Sequence, residues 1–272
     1  MPELCSSLEQ LRAEPGRVDL WYTWSDRIRD PRLVARYTEL LAPNELQQWR
    51  RYRVEGVRHQ YLVTRALVRS VLSCYGPHPP EAWTFGRNAY GKPFVGDPPL
   101  PGVAFNLSHT RGLVICGVTG AERIGVDVER LDRTVEFLQL AQRFFAPGEA
   151  AAVAATRPPE RPWRFFQFWT LKEAYIKARG MGLSIPLDGF AFELSEHGPP
   201  RIGFARPGSD DPSRWQFMQL SLGDLYQMAV AVDLPAPQAP RLCLRQVVPL
   251  AWQAQPVLLA PNRANRWAIE PS

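Results

Sequence analysis

Arg123-Ile124-Gly125-Val126-Asp127-Val128-Glu129 alternates apolar and acidic side chains. On a strand Asp127 and Glu129 therefore share one face, while Val126 and Val128 point to the other, apolar side. Downstream, Trp163 to Arg179 reads as a long helix that Gly180 can close as a left-handed cap. Trp169, Glu173 and Lys177 stand on it at i, i+4 and i+8 and form one stripe. An acidic strand followed by a long helix with a polar stripe points to a chain that mixes both element types.

The rest of the chain fits around this pair. Asp19 to Trp24 reads as a first strand, and Ala42-Pro43-Asn44-Glu45 opens a helix with proline in its first turn. Val57, Tyr61, Thr64, Val68, Val71, Leu72 and Tyr75 recur at helical spacing up to Gly76-Pro77. The other face of that helix carries Arg58, Arg65 and Arg69, a solvated basic face or an anion-binding one. Short β-like runs at 83–85, 103–107 and 113–118 join 123–129 as expected neighbouring strands. Segments 135–145 and 147–155 precede the long helix, and 190–204 and 215–232 look like hairpins. Strands and helices twice over imply an α+β protein with two packed halves meeting near residue 120. The expected units are 1–120, 121–234 and a Pro-rich, loosely structured extension at 235–272. Leu250, Trp252, Leu258 and Trp267 argue against full disorder there and suggest a strap.

Composition narrows the class. With 272 residues and 45% apolar content the chain can bury one sizeable core or two modest ones. Cys5, Cys74, Cys116 and Cys243 form no C-x-x-C pair, so neither a zinc knuckle nor a disulfide framework is indicated. Met1 to Gly16 carries Glu3, Glu9 and Glu14 without an apolar run, and no segment reaches the ~18 apolar residues of a membrane span. A soluble cytoplasmic protein is expected. The net charge of +5 suits an acidic partner without choosing among nucleic acid, a phosphorylated cofactor and a protein. Lysine is scarce, with Lys92, Lys172 and Lys177 set against 29 arginines. Such a chain keeps lysine mainly where a compact ammonium is hard to replace.

Four constellations bear chemistry. Asp127 and Glu129 side by side are tolerable around a divalent cation, and hard oxygen ligands suit Mg²⁺; as a plain strand end they would be two solvated acids. Glu173 can reach a metal and Lys177 a phosphate, or the two form an ordinary i,i+4 pair. Asn106-Leu107-Ser108-His109 lacks an acid for a nucleophilic triad, and its hydroxyl and imidazole suit anionic oxygens better. Arg87-Asn88-Ala89-Tyr90-Gly91-Lys92-Pro93 is a turn that presents Arg87 and Lys92.

Together, Gly-Lys-Pro at 91–93, Asn-Leu-Ser-His at 106–109, Gly-Val-Asp-Val-Glu at 125–129 and Trp-x-x-Lys-Glu-Ala-x-x-Lys at 169–177 resemble Sfp-type 4′-phosphopantetheinyl transferases over about residues 19–232. The resemblance implies a pseudo-dimer of two similar α/β halves with the active site in the cleft between them. It implies Asp127, Glu129 and Glu173 as Mg²⁺ ligands, and Lys177 on the coenzyme A phosphates beside the transferred group. Ser108 and His109 would hold the diphosphate and 3′-phosphate, with Arg87 and Lys92 bordering the adenine and 3′-phosphate. Arg53 and Arg58 lie where basic residues serve the nucleotide, although Gln48 and Gln60 stand where better-known members can have basic side chains.

The implied reaction is attack by a carrier-protein serine on the phosphate bonded to pantetheine, releasing 3′,5′-ADP. Glu173 or a metal-bound water takes the serine proton, and Lys177 stabilises the leaving group. The expected partner is an acidic acyl or peptidyl carrier domain met by a monomer. Two alternatives are a non-catalytic coenzyme A-binding relative, which could dispense with an acid, and a nucleic-acid-binding protein, which the scattered arginines disfavour.

Overall fold

A computed structural model describes residues 10–195, 198–235, 238, 240–251, 255–256 and 269–270. Its elements run β1 (Arg17–Trp24), α1 (Pro31–Glu39), α2 (Pro43–Arg51), α3 (Glu55–Ser73), β2 (Phe85–Arg87), β3 (Pro93–Val95), β4 (Ala104–Thr110), β5 (Leu113–Thr119) and β6 (Ile124–Arg130). There follow α4 (Phe137–Phe144), α5 (Pro147–Ala155), α6 (Arg161–Arg179), β7 (Phe190–Glu193), β8 (Arg201–Phe204), β9 (Trp215–Leu222), β10 (Tyr226–Asp233), β11 (Arg241–Gln246), β12 (Gln255–Pro256) and β13 (Ile269–Glu270). The mixed α+β class expected from the alternating patterns is what forms.

Strand alternation builds the layers. In the first sheet, ordered β12-β11-β1-β5-β4 with β13 beside β11, Val18, Leu20 and Tyr22 of β1 point to one face and Trp21 to the other. The first face meets Val126, Met218, Val230 and their neighbours from the second sheet, β6-β10-β9. Trp21, Val114, Cys116 and Val118 pack instead under α3 through Leu67 and Val71. On the far side Phe217, Ala229 and Ala231 pack against Phe165, Leu171 and Tyr175 of the helices. The order is helices, sheet, sheet, helices.

The two sheets meet at β4 and β6, and the seam is made by side chains. β6 is an edge strand whose N–H groups at Val126 and Val128 face β4 rather than a partner's backbone. Asn106 Oδ1 accepts from Val126 N at 2.9 Å, and Ser108 Oγ accepts from Val128 N at 3.3 Å. Buried donors are thereby satisfied without a backbone ladder, which leaves room at the end of the seam. Of the runs expected as neighbouring strands, 103–107 and 113–118 do pair, as β4 and β5, whereas 123–129 is hydrogen-bonded as β6 to β10 in the other sheet.

Helix α6 lies directly on β6 and β10. Gly125 makes this possible, since a Cβ there would stand 1.9 Å from Ala174 O. Gly180 caps the helix at φ 66° as its position suggested.

Two further expectations change. The arginines of α3 do not form a solvated face: Arg65 and Arg69 are buried, and Arg69 Nη2 lies 2.5 Å from Glu45 Oε2 while Arg65 Nε lies 3.2 Å from Glu45 Oε1. Desolvating charge is tolerable here because it is paired. Within the segment from Pro235, residues Arg241–Gln246 are not loose either, since β11 runs parallel to β1 from Arg17↔Arg241 to Tyr22↔Gln246 and buries Leu242 and Leu244 in the inter-sheet core. Leu250 is also buried. Trp252, Leu258 and Trp267 lie outside the described residues.

Candidate active site

Beside the β4–β6 seam is a cleft of about 450 Å³ walled by Ser108, His109, Asp127, Glu129, Glu173 and Lys177, together with Trp169, Leu107 and Val128. The strand pattern delivers Asp127 and Glu129, the seam delivers Ser108, and the helical stripe delivers Trp169, Glu173 and Lys177. His109 is exposed at the rim. Six residues that the sequence singled out thus share one concavity.

Lys177 is the most heavily bonded member. Its Nζ donates to Asp127 Oδ1 at 2.6 Å, to Ser108 Oγ at 2.9 Å and to Val126 O at 3.2 Å, which uses all three ammonium hydrogens. Ser108 Oγ donates in turn to Asp127 Oδ1 at 2.9 Å. The ion pair of Lys177 therefore runs from α6 to Asp127 on β6, not along the helix to Glu173.

The carboxylates feel one another. Glu173 is pushed up to about 7 by desolvation and then by the charges of Asp127 and Glu129, with Lys177 opposing. Burial and Asp127 also raise Glu129, against Arg133, whose Nη1 donates to Glu129 Oε2 at 2.9 Å. Although one side of His109 is open at the rim, the protein walls around its ring and then the Lys177 charge hold it below the usual imidazole range.

Whether this donor set suits a divalent cation turns on Asp127. Its side chain is buried, and Oδ2 has no hydrogen-bond partner, whereas buried carboxylate oxygens are ordinarily bonded. A hard, anionic oxygen on a cleft that two further carboxylates also line is suitable for Mg²⁺, which needs only one or two carboxylates beside phosphate and water oxygens. With Glu129 on Arg133 and Asp127 on Lys177, no group of three or more His, Cys, Asp or Glu among the described residues closes around a single point. The residues fit the ion by chemistry, in an open rather than a caged arrangement.

The expected nucleotide residues lie elsewhere. Arg87 is exposed beside a second concavity of about 470 Å³, walled also by Gln48, Tyr52, Tyr61, Arg65 and Phe85. Arg53 is exposed and Arg58 stacks over Trp49 at 5.4 Å; neither walls either cavity. Gln60 Nε2 donates to Thr110 O at 2.7 Å and so secures the end of β4. Lys92 turns inward: its Nζ lies 3.0 Å from Ala178 O and 3.2 Å from Ile124 O. It answers the Ala178 carbonyl in the last turn of α6 and the Ile124 carbonyl at the start of β6. Asn88 joins it, with Nδ2 donating to Gly180 O at 2.7 Å.

All three lysines are thus inward-facing ammonium groups with several oxygen partners. Lys172, completely buried, donates to Leu187 O and Phe190 O at 2.7 Å and pairs with Glu149 at 2.7 Å. A compact ammonium suits these sites better than a planar guanidinium. Arg133 and Asn88 were not singled out individually: Arg133 is one of many arginines, and the contact of Asn88 is made 92 positions away.

Comparison with known proteins agrees with the motif pattern. The model of the 4′-phosphopantetheinyl transferase superfamily matches residues 123–231, which include β6 and α6. The 4′-phosphopantetheinyl transferase Sfp of Bacillus subtilis (strain 168) is 32% identical over 200 residues, covering 74% of this chain and 85% of that protein. The 4′-phosphopantetheinyl transferase HetI of Nostoc sp. is 32% identical over 193 residues, covering 71% and 78%. The 4′-phosphopantetheinyl transferase ffp of Bacillus subtilis is 31% identical over 212 residues, covering 78% and 91%.

Proposed function

The chain belongs to the 4′-phosphopantetheinyl transferase superfamily, and from that membership we propose how its own residues carry the reaction. The enzyme transfers the 4′-phosphopantetheine group of coenzyme A to a serine of an acyl or peptidyl carrier protein and releases 3′,5′-ADP. The observation that carries the reading is the convergence of Ser108, His109, Asp127, Glu129, Glu173 and Lys177 on one cleft.

Asp127, Glu129 and Glu173 are the residues that would hold Mg²⁺, which when bound offsets negative charge on the diphosphate oxygens. Ser108 and His109 donate hydrogen bonds to phosphate oxygens, and the exposed Arg87 meets the 3′-phosphate as the first charge at the rim of the second concavity. Arg53 and Arg58 add to the positive field there. Lys92 serves the nucleotide indirectly, by fixing the turn that presents Arg87 against α6.

The carrier serine Oγ forms a bond to the phosphorus attached to pantetheine, and the bond from that phosphorus to the oxygen of 3′,5′-ADP breaks. Glu173 lies in the same cleft as Ser108 and Lys177, placed to take the serine proton, and is the general base in this reading. Lys177 donates from Nζ to the departing phosphate as charge builds there.

The wider reading is of a cytoplasmic monomer with two pseudo-symmetric halves, 1–120 and 121–234, that acts on a protein rather than on nucleic acid. Burial of free Cys74, Cys116 and Cys243 accords with a reducing compartment. Among the described residues no helix is long and apolar enough to cross a membrane.

The test is incubation with coenzyme A, Mg²⁺ and an apo carrier domain, read by intact mass. A gain of one phosphopantetheine that disappears on chelation is expected. Coenzyme A binding without any mass gain on several apo carriers would identify a non-catalytic relative instead.

A further inference from the structure

Lys177 holds the same carboxylate that a divalent cation would need. Its Nζ lies 2.6 Å from Asp127 Oδ1, and with Ser108 Oγ it closes a three-membered hydrogen-bonded ring in which every side touches Asp127 or its neighbour across the seam. Asp127 is 4% exposed and keeps Oδ2 unpartnered and buried. The third donor of Lys177, to Val126 O, ties the ammonium to β6 as well. A helix, two strands and one carboxylate are therefore locked by a single cation that belongs to the chain.

We infer that Lys177 is a resident counter-cation of Asp127 that a divalent ion must displace, and that the coenzyme A diphosphate opens the lock by offering Lys177 and Ser108 other oxygens. This rests on the reading of Asp127, Glu129 and Glu173 as the cation-binding set. Two cations crowd one carboxylate as long as Lys177 stays on Oδ1, so an ion entering alone meets repulsion as well as attraction. A phosphate within reach of Nζ replaces Asp127 as the partner of Lys177, and Ser108 can rotate its hydroxyl from Asp127 to the same anion. Both oxygens of Asp127 are then free. Metal and nucleotide load together, and the coupling is reciprocal by thermodynamic necessity. Lys177 is in this step a positioning residue for Asp127, in addition to its contact with the leaving group.

The experiment titrates Mn²⁺, a paramagnetic stand-in for Mg²⁺, into the full chain. The free ion is read by electron paramagnetic resonance, with and without coenzyme A, against a protein-free control. Lys177→Met should bind Mn²⁺ roughly fivefold or more tightly than wild type in the absence of coenzyme A, and should gain less affinity on adding it. Lys177→Gln, neutral but still an N–H donor toward Ser108 and Val126 O, should behave likewise and serves if the Met variant does not melt cooperatively. Equal or weaker binding by both variants, with wild type binding Mn²⁺ in the presence of coenzyme A, overturns the lock and leaves the carboxylate assignment standing. If no protein takes up Mn²⁺ beyond the control, the carboxylate assignment fails and this inference fails with it.

Discussion

Lys177 Nζ lies 2.6 Å from Asp127 Oδ1, while Glu173, one helical turn earlier on α6, is not its ion-pair partner. The two neighbours on the stripe therefore have separate duties. Glu173→Gln keeps the shape of the side chain and removes a carboxylate that desolvation and two like charges already strain. Single-turnover transfer should fall ~100-fold or more, the scale of a lost general base, and the melting temperature should not decrease. A near-wild-type rate in folded protein would remove Glu173 from the chemistry.

Lys92 offers a test through pH. Burial, and then the charge of Arg123, lower its pKa from 10.5 to about 8. Between those values the unfolded chain keeps a proton that the folded chain has released, so stability from this group rises with pH across the window. A neutral amine still donates to Ala178 O and Ile124 O. Urea midpoints of wild type and Lys92→Met, compared from pH 8 to 10.5, should therefore diverge in favour of wild type. A constant difference would contradict the inward placement of the ammonium.

What the chain disclosed in advance was periodic. Alternation fixed the shared face of Asp127 and Glu129, and the i, i+4, i+8 spacing fixed the stripe of Trp169, Glu173 and Lys177, so most of the cleft was legible. Partners distant in the chain were not. The periodicity of α3 marks Arg65 and Arg69 as lying off the main apolar stripe but says nothing about Glu45, 24 residues before Arg69, which turns that face into buried structure. Asn106 read as a motif member, yet its duty is to satisfy an edge N–H 20 residues away. β11 escaped because Arg241-Leu242-Cys243-Leu244-Arg245-Gln246 is short and lies among prolines.

That strand gives the third test. A chain ending at Pro235 removes the parallel neighbour of β1, together with Leu242 and Leu244 from the inter-sheet core. It also removes Arg245, whose Nη2 lies 3.6 Å from the buried Asp19. Circular-dichroism melts should show loss of the cooperative transition, and Leu242→Ala alone should cost about 2–5 kcal/mol. A truncated protein with the wild-type midpoint would reduce the segment to a surface strap.

The last test separates structure from chemistry on α6 itself. Lys172 precedes Glu173, yet its side chain enters the core: it is 0% exposed, Glu149 is 2% exposed, and the pair is 2.7 Å apart. Burial pulls the lysine down and the glutamate up, and each holds the other against that pull. Lys172→Met strands a buried carboxylate and should cost about 3–5 kcal/mol. Joining it with Glu149→Leu would restore stability if the pair acted only on itself. It does more, because Lys172 also donates to Leu187 O and Phe190 O, and Glu149 also accepts from Phe192 N and Ala146 N. The double variant therefore leaves two donors and two acceptors buried without partners, each at roughly 1–3 kcal/mol. Denaturant unfolding of both singles and the double should show no recovery. Lys172 does not wall the cleft, so at a temperature where Lys172→Met is folded its transfer rate should stay within a few-fold of wild type. A ~100-fold loss in folded protein would instead place Lys172 beside Glu173 and Lys177 in the chemistry.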